Sequence, residues 1–278
     1  MAALRTAKLE QYGLLLAAGD DARAFLHAQL TNDIENLPPG RARHAGWCTA
    51  KGRLLATFLV VPFSGGYLLQ LARDLAPAVA KRLAMFILRS KVKLTDVSGQ
   101  WQQYGVWGDS GPDGELAIAE GAGKVEVRID ADRVLVLCTE SIAATAATED
   151  WTLAEVRAGR ALITQATQDQ FVPQMVNLEL AGGVDFQKGC YPGQEIVARA
   201  QYRGEVKRRL YRLRGAALKA GQDLYTDEDR EQASGKVVNA AGEESLAVLP
   251  VAVAEAKAPV RAQPQASALE ILPLPYAL

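Results

Sequence analysis

Lys188-Gly189-Cys190-Tyr191-Pro192-Gly193-Gln194-Glu195, KGCYPGQE, sets one of only three cysteines in a chain of 278 residues beside a glycine and two residues from a lysine. Within it, Tyr191-Pro192-Gly193-Gln194 predicts a type II turn: proline pre-sets φ at the second position, and glycine accepts the positive φ that the third requires. The backbone therefore reverses directly after Cys190. Residues 195–202 have helical potential and Gly204 stands where a helix would stop, so Cys190 falls just before a helix N-terminus. The positive end of a helix and a nearby ammonium both favour thiolate over thiol, which makes Cys190 a candidate reactive cysteine with Lys188 tuning it. Spacing alone leaves a buried structural cysteine as an equal alternative, because free cysteine is among the most buried residue types.

The other two thiols read differently. Cys138 ends the apolar run Val134-Leu135-Val136-Leu137 and is structural; Cys48 is read the same way, with Lys51-Gly52-Arg53 nearby leaving room for a rim position. An odd set of cysteines without C-x-x-C spacing fits a reducing compartment and no disulfide framework. His27 and His44 do not fall into metal-ligand spacing with them and are read as structural or surface residues. The N-terminus lacks the apolar segment and small-residue cleavage site of a secretory signal, so the expectation is a cytoplasmic protein.

Lys and Arg number 31 against 32 Asp and Glu, so no overall charge excess points to a nucleic-acid coat or a membrane anchor. Locally, residues 185–214 carry eight basic and three acidic side chains, whereas residues 222–245 carry two and seven. The uncharged run at residues 54–72 reaches membrane-spanning length, but Pro62-Phe63-Ser64-Gly65-Gly66 breaks it with turn chemistry. Two buried strands joined by a hairpin are expected there instead.

Elsewhere the pattern predicts a strand at residues 14–16, a helix capped by Gly19-Asp20-Asp21, and a helix capped by Asp74 that buries Leu75, Val79, Leu83 and Phe86. Strands follow at 91–97, 101–107, 124–129 and 132–139, then a short helix at 151–158. Beyond Gly204, short strands at 208–214, 233–239, 245–253 and 269–272 suggest a small β-barrel or sandwich. Hairpins with helices between some of them indicate an α+β fold rather than a doubly wound sheet, and no glycine-rich dinucleotide fingerprint follows any strand.

The segment FVPQMVNLELAGGVDFQKGCYPGQEIVARAQYRGEVKRRL, residues 171–210, resembles the signature of the YgfZ family, bacterial folate-binding relatives of the glycine-cleavage T-protein, an aminomethyltransferase. Its core pattern K-G-C-Y-x-G-Q-E matches at every specified position, with Gly189, Tyr191, Gly193, Gln194 and Glu195 as the structural part of the motif. Supporting similarities run through HAQLTND at residues 27–33, CTAKGR at residues 48–53 and PLPY at residues 273–276, so the resemblance covers essentially the whole chain. It implies a ring of two ferredoxin-like α+β subdomains around a folate pocket within residues 1–205, followed by a C-terminal β-barrel in residues 206–278. It also implies binding of tetrahydrofolate or a derivative and support for the assembly, maintenance or repair of iron-sulfur enzymes, including radical enzymes that thiolate tRNA. These enzymes would be protein partners, and direct tRNA contact is the weaker expectation. No tightly bound metal is implied, although Cys190 is a candidate for transient contact with an iron-sulfur cluster.

By the same similarity, Tyr12 and Trp151 align with two tryptophans associated with folate binding, and a flat pterin wants such an aromatic or apolar platform. Asp33 is weighed as a ligand carboxylate against a turn or cap residue. Aminomethyltransferases carry a pterin-holding glutamate where this chain has Arg157. Glu155 is discounted as its replacement, because residues two apart on a helix do not share a face. An accessory factor is therefore expected over an aminomethyltransferase or other one-carbon transferase. The basic run Arg199, Arg203, Lys207, Arg208 and Arg209 offers a solvated face first, and a contact for the folate's glutamate tail, a protein or RNA second.

Overall fold

A computed structural model describes residues 4–108, 111–202, 204–227 and 232–278. The expected α+β architecture is observed as two five-stranded antiparallel sheets followed by a closed six-stranded barrel. The first strand, β1 (Arg5–Lys8), belongs to the outer sheet. The chain then builds the central sheet from β2 (Tyr12–Ala18), β3 (Arg43–Cys48), β4 (Leu54–Phe63), β5 (Gly66–Ala72) and β6 (Lys93–Asp96), in the spatial order β3-β4-β5-β2-β6. Helix α1 (Ala22–Gln29) joins β2 to β3, and α2 (Ala76–Ala84) joins β5 to β6. Strands β7 (Gln102–Trp107), β8 (Ile118–Gly121), β9 (Lys124–Arg128) and β10 (Arg133–Cys138) complete the outer sheet in the order β1-β7-β10-β9-β8.

Helix α3 (Thr148–Arg157) and a long connection that includes a 3-10 turn (Pro173–Val176) lead to α4 (Gln194–Tyr202). The barrel then closes through β11 (Arg208–Arg214), β12 (Asp223–Thr226), β13 (Gly235–Ala241), β14 (Glu244–Pro250), β15 (Val260–Arg261) and β16 (Ala268–Leu272), with the short helix α5 (Val251–Glu255) after β14.

The apolar run at residues 54–72 is indeed the β4-β5 hairpin, paired from Leu59 with Gln70 to Phe63 with Gly66. Its continuous hydrophobicity follows from the position of the central sheet, which is buried on both faces. In β2, Tyr12 and Leu14 pack between the two sheets, whereas Leu15 and Ala17 face the opposite core with α1, α2 and the barrel residues Leu210, Val238, Leu246 and Val248. Side chains alternate across a strand, so a strand with a core on each side has no polar face to show. Among the described residues no helix is long and apolar enough to cross a membrane.

Several local expectations are corrected. Asp21 and Asp74 do not cap α1 and α2 with their side chains. Instead the Asp21 carboxylate accepts the Lys91 N–H at 2.7 Å and Asp74 accepts the Gln165 N–H at 3.0 Å, so both acids pin a distant loop to a helix start. Phe86 falls beyond the last turn of α2 and is exposed rather than buried with Val79 and Leu83. The edge strands β1 and β8 and the barrel strands β12 and β15 escape a reading based on long apolar runs because they are short and partly solvated.

Candidate functional site

The turn at residues 191–194 forms as its residues dictate. Gly193 takes φ +82°, and the Gln194 N–H donates to the Tyr191 carbonyl at 3.2 Å. A side chain at Gly193 would strike the Thr49 carbonyl oxygen and the Gly52 backbone, whose nitrogen lies 2.7 Å from the position a Cβ would take. Gly52 is itself at φ +70°, and a Cβ there would stand 2.9 Å from that of Ile196 at the start of α4. The CTAKGR and KGCYPGQE segments, about 140 residues apart, therefore dock backbone to backbone through a pair of glycines that need both the conformation and the space.

The third segment, HAQLTND, completes the assembly. Lys188 is buried, and its ammonium donates to the carbonyls of His27 and Leu30, the latter at 2.7 Å, at the C-terminal end of α1. A cation there satisfies orphan carbonyls and meets the negative end of the helix dipole. The ammonium also lies 4.8 Å from the centre of the Tyr191 ring. Burial pulls it down to about 8, against the opposing pull of Asp33, Asp185 and Cys190. Lys188 thus ties the motif to α1 first, with the thiol within electrostatic range.

Cys190 itself is exposed, whereas Cys48 and Cys138 are buried. Burial pushes the Cys48 thiol up to about 12, which leaves it neutral and inert. Asp33 stands beside Lys188 rather than beside the aromatic pair. It accepts the Asn36 N–H at 3.0 Å and the Asn36 amide at 2.8 Å, and it pairs with His27 at 3.1 Å. Burial alone would raise its carboxyl, but the donors from Asn36 and the charges of His27 and Arg43 hold it below its ordinary value. Its geometry is that of a turn residue that organises the loop after α1.

Tyr12 and Trp151 lie elsewhere, at the seam between the two sheets. Tyr12 lines a small inner cavity of about 60 Å³ with Thr57, Leu59, Gln70, Glu155 and Leu162. This cavity shares His44, Arg160 and Ala181 with a larger cleft of about 870 Å³, whose walls include Trp107, Arg133, Arg157 and Tyr276. Trp151 does not reach either wall. It is buried against Gly105, 5.4 Å from Trp107 in an edge-to-face arrangement and 4.8 Å from the Arg133 guanidinium, and its indole lies beside the Tyr12 phenol. Burial, reinforced by the Glu155 carboxylate, drives the Tyr12 hydroxyl well above its usual range and keeps it protonated.

Beneath these rings runs a charged network that sequence analysis does not foresee. Arg133 donates to Glu155 at 2.6 Å and to Asp130 at 2.6 and 2.8 Å, and Arg160 meets Glu155 at 3.5 Å and Glu115 at 3.3 Å. Glu155, discounted on helical spacing, lines the inner cavity, while Arg157 lines the cleft and forks onto Glu244 of the barrel at 2.7 and 3.1 Å. The two residues point apart, as their spacing requires, yet the cavities meet around the end of α3 and receive both. His44, read as a bystander, sits on the shared wall with Nε2 buried and unpartnered. Burial and the neighbouring Arg160 push its imidazole down to about 4, against the pull of Glu155.

The two parts of the site are joined through residues 30–33. The Asn32 amide donates to the His44 carbonyl at 2.7 Å and to that of Gly182, on the cleft wall, at 2.6 Å. Of the basic run, Arg209 is paired with Glu179, Arg208 donates to the Ser234 carbonyl, and Arg199 and Lys207 are exposed. Arg203 lies outside the described residues.

No protein-family model matches the chain. The tRNA-modifying protein YgfZ of Serratia proteamaculans (strain 568) is 31% identical, over 97% of this chain and 92% of that protein. The chain belongs to the YgfZ family. A second YgfZ, from Klebsiella pneumoniae (strain 342), is 30% identical over the same shares, and one from Vibrio vulnificus (strain YJ016) is 30% identical over 86% of this chain and 78% of that protein. The fold of this YgfZ-family chain is that of the glycine cleavage system aminomethyltransferase T from Bartonella henselae. The TM-score is 0.74 over 98% of this chain and 86% of that one, at 15% identity.

Proposed function

We propose that this chain is a tetrahydrofolate-binding accessory protein that supports the assembly, maintenance or repair of iron-sulfur enzymes, with Cys190 as its working thiol. The observation that carries this reading is the placement of Cys190. It is the one exposed thiol among three, held on a turn that two glycines and Lys188 fix against the other two motif segments. The names of the relatives, tRNA-modifying proteins, place the family's work next to tRNA modification, and thiolation by iron-sulfur radical enzymes is such a modification.

The cleft supports the folate part of this reading. A cleft of about 870 Å³ is within the range of small-molecule sites, and it narrows to apolar and aromatic walls with a few polar groups, as a pterin requires. Tyr12, Thr57, Gln70 and Glu155 would hold the heterocycle, with Trp151 supporting Tyr12 from behind. The bound folate would supply one-carbon or redox chemistry; the protein's part is to orient it and exclude water. Residues 1–205 would form this folate-binding body and residues 206–278 the barrel that braces it through Arg157 and Glu244.

Among the described residues no three metal-ligating side chains stand together. Since a cluster usually takes four ligands, contact through Cys190 would be shared with the client or a small thiol. The test is complementation: Cys190→Ser in cells lacking the native copy should fold and yet fail to restore tRNA thiolation. Full rescue would remove the thiol from the mechanism. For the folate, calorimetry with tetrahydrofolate should show weaker binding to Tyr12→Ala than to the parent protein, and equal affinity would move the ligand elsewhere.

A further inference from the structure

One surface outside both parts of the site is unusual. Residues 75–95 carry five basic side chains, Lys81, Arg82, Arg89, Lys91 and Lys93, and no acidic one, in a chain whose net charge is −1. All five are exposed. In their midst, just past the end of α2, Met85, Phe86 and Leu88 are 66%, 44% and 87% exposed, the densest group of large apolar side chains on the described surface. The acids nearby are Asp20, 3.6 Å from Lys91 with both side chains solvated, Asp21, whose carboxylate accepts the Lys91 backbone N–H, and the flanking Asp74 and Asp96, whose carboxylates accept the backbone N–H groups of Gln165 and Ser98.

The patch is linked to the Cys190 loop through a chain of buried contacts. Phe86 meets Trp47 edge to face at 6.3 Å, and the Arg82 guanidinium lies 5.9 Å from the same ring. Trp47 pairs with Leu30, and the Leu30 carbonyl receives Lys188. Trp47 is also followed directly by Cys48 and Thr49, and the Thr49 carbonyl packs against Gly193.

We infer that this basic, apolar-centred patch is the docking surface for the iron-sulfur client, an acidic protein face with a recess that takes Leu88. The inference rests on the proposed function for the identity of the client. Charge complementarity selects an acidic partner, and exposed apolar side chains at the centre of a charged rim are what a protein interface buries. RNA would need stacking platforms, whereas Leu88 and Met85 offer none and Phe86 is already set against Trp47. An anionic bilayer would need a free apolar helix face, but the apolar stripe of α2, Ala76, Val79 and Leu83, is spent in the core.

The experiment measures binding of the full-length protein to a purified radical iron-sulfur enzyme that thiolates tRNA. Bulk tRNA and vesicles of phosphatidylglycerol with phosphatidylethanolamine are titrated alongside. Leu88→Asp should weaken client binding by about tenfold or more, as loss of a central anchor does, and Arg89→Glu should weaken it and flatten its salt dependence. Both variants change exposed residues, so melting temperature and tetrahydrofolate affinity should match the parent. Client affinity unchanged in both variants, no client binding by the parent, or variants that lose tRNA or vesicle binding instead would overturn the assignment. Rescue of thiolation by Cys190→Ser would defeat the thiol mechanism while leaving a measured docking surface in place.

Discussion

The Cys190 turn and the Tyr12 cavity are built on opposite principles. At the turn, backbone does the positioning: Gly193 against Gly52, a carbonyl of Tyr191 accepting from Gln194, and one lysine on the last carbonyls of α1. In the cavity, side chains do it: an indole behind a phenol, with Arg133, Arg160, Glu155 and Asp130 locked together beneath them. The first arrangement keeps a small thiol exposed at a fixed place. The second keeps polar groups dry and oriented, which costs burial of charge and is tolerable only because each charge is paired.

The comparison is broken most severely by unpairing the cavity network. Arg133→Met leaves Glu155 and Asp130 without their main partner and removes the cation over Trp151, so unfolding in urea should show a loss of about 3 to 5 kcal/mol. Cys190 should keep its alkylation rate in that variant at temperatures where it is folded, since the turn depends on none of these residues. The reverse test is Gly193→Ala, which imposes positive φ on alanine and drives its Cβ into the Thr49 carbonyl. A cost of about 2 to 3 kcal/mol is expected. Here the thiol's reactivity should change while tetrahydrofolate affinity stays within about twofold, well under the roughly 1.4 kcal/mol that a tenfold change represents.

Two pH experiments sharpen the contrast further. The folded-state value of His44, about 4, lies below that of a free imidazole, about 6.5. Between those values the unfolded chain binds the extra proton. Its contribution is therefore complete above pH about 6.5 and is lost as pH falls through about 4, by on the order of 3 kcal/mol. His44→Leu should flatten the acid limb of the stability curve, and an unchanged limb would place the titration elsewhere. Lys188 acts at the alkaline end and more weakly. Its folded value of about 8 lies below its ordinary range, so stability rises as pH climbs from about 8 to the unfolded lysine value near 10.4, and Lys188→Met should lose that rise. Thermal unfolding across that range checks it.

The same contrast explains what was legible in the sequence. KGCYPGQE could be read because proline and glycine announce a turn over adjacent positions, and the turn and the helix after it follow from local chemistry, whereas the exposure of Cys190, an even choice from spacing, is decided by the fold. The cavity could not, because its parts arrive from β2, β4, β5, α3 and the loop beyond it, and nothing local marks Thr57, Gln70 or Arg160 as neighbours. His44 carried no signal in spacing, and only burial gives it meaning. Glu155 shows a sound rule used too narrowly: residues two apart on α3 do face different ways, but the space around that helix end wraps far enough to meet both. The barrel was visible as short strands between polar turns, whereas its closure depended on β12 and β15, whose few residues leave no pattern.

The central sheet has one more consequence. Where a strand is apolar on both faces, the hydrophobic pattern no longer tells one register from the next, so sliding β2 by one residue would still bury apolar side chains. Size must then decide the pairing. Gly13 lies where α2 comes in, and a Cβ there would stand 2.6 Å from that of Ala76 and 3.3 Å from the Ser98 hydroxyl, which accepts the Leu14 N–H at 2.9 Å. A slip in either direction would push Tyr12 or Leu14 into that gap. The smallest side chain in the strand thus acts as its alignment mark, and the seating of Tyr12 in the cavity depends on a residue that contributes no atom to it.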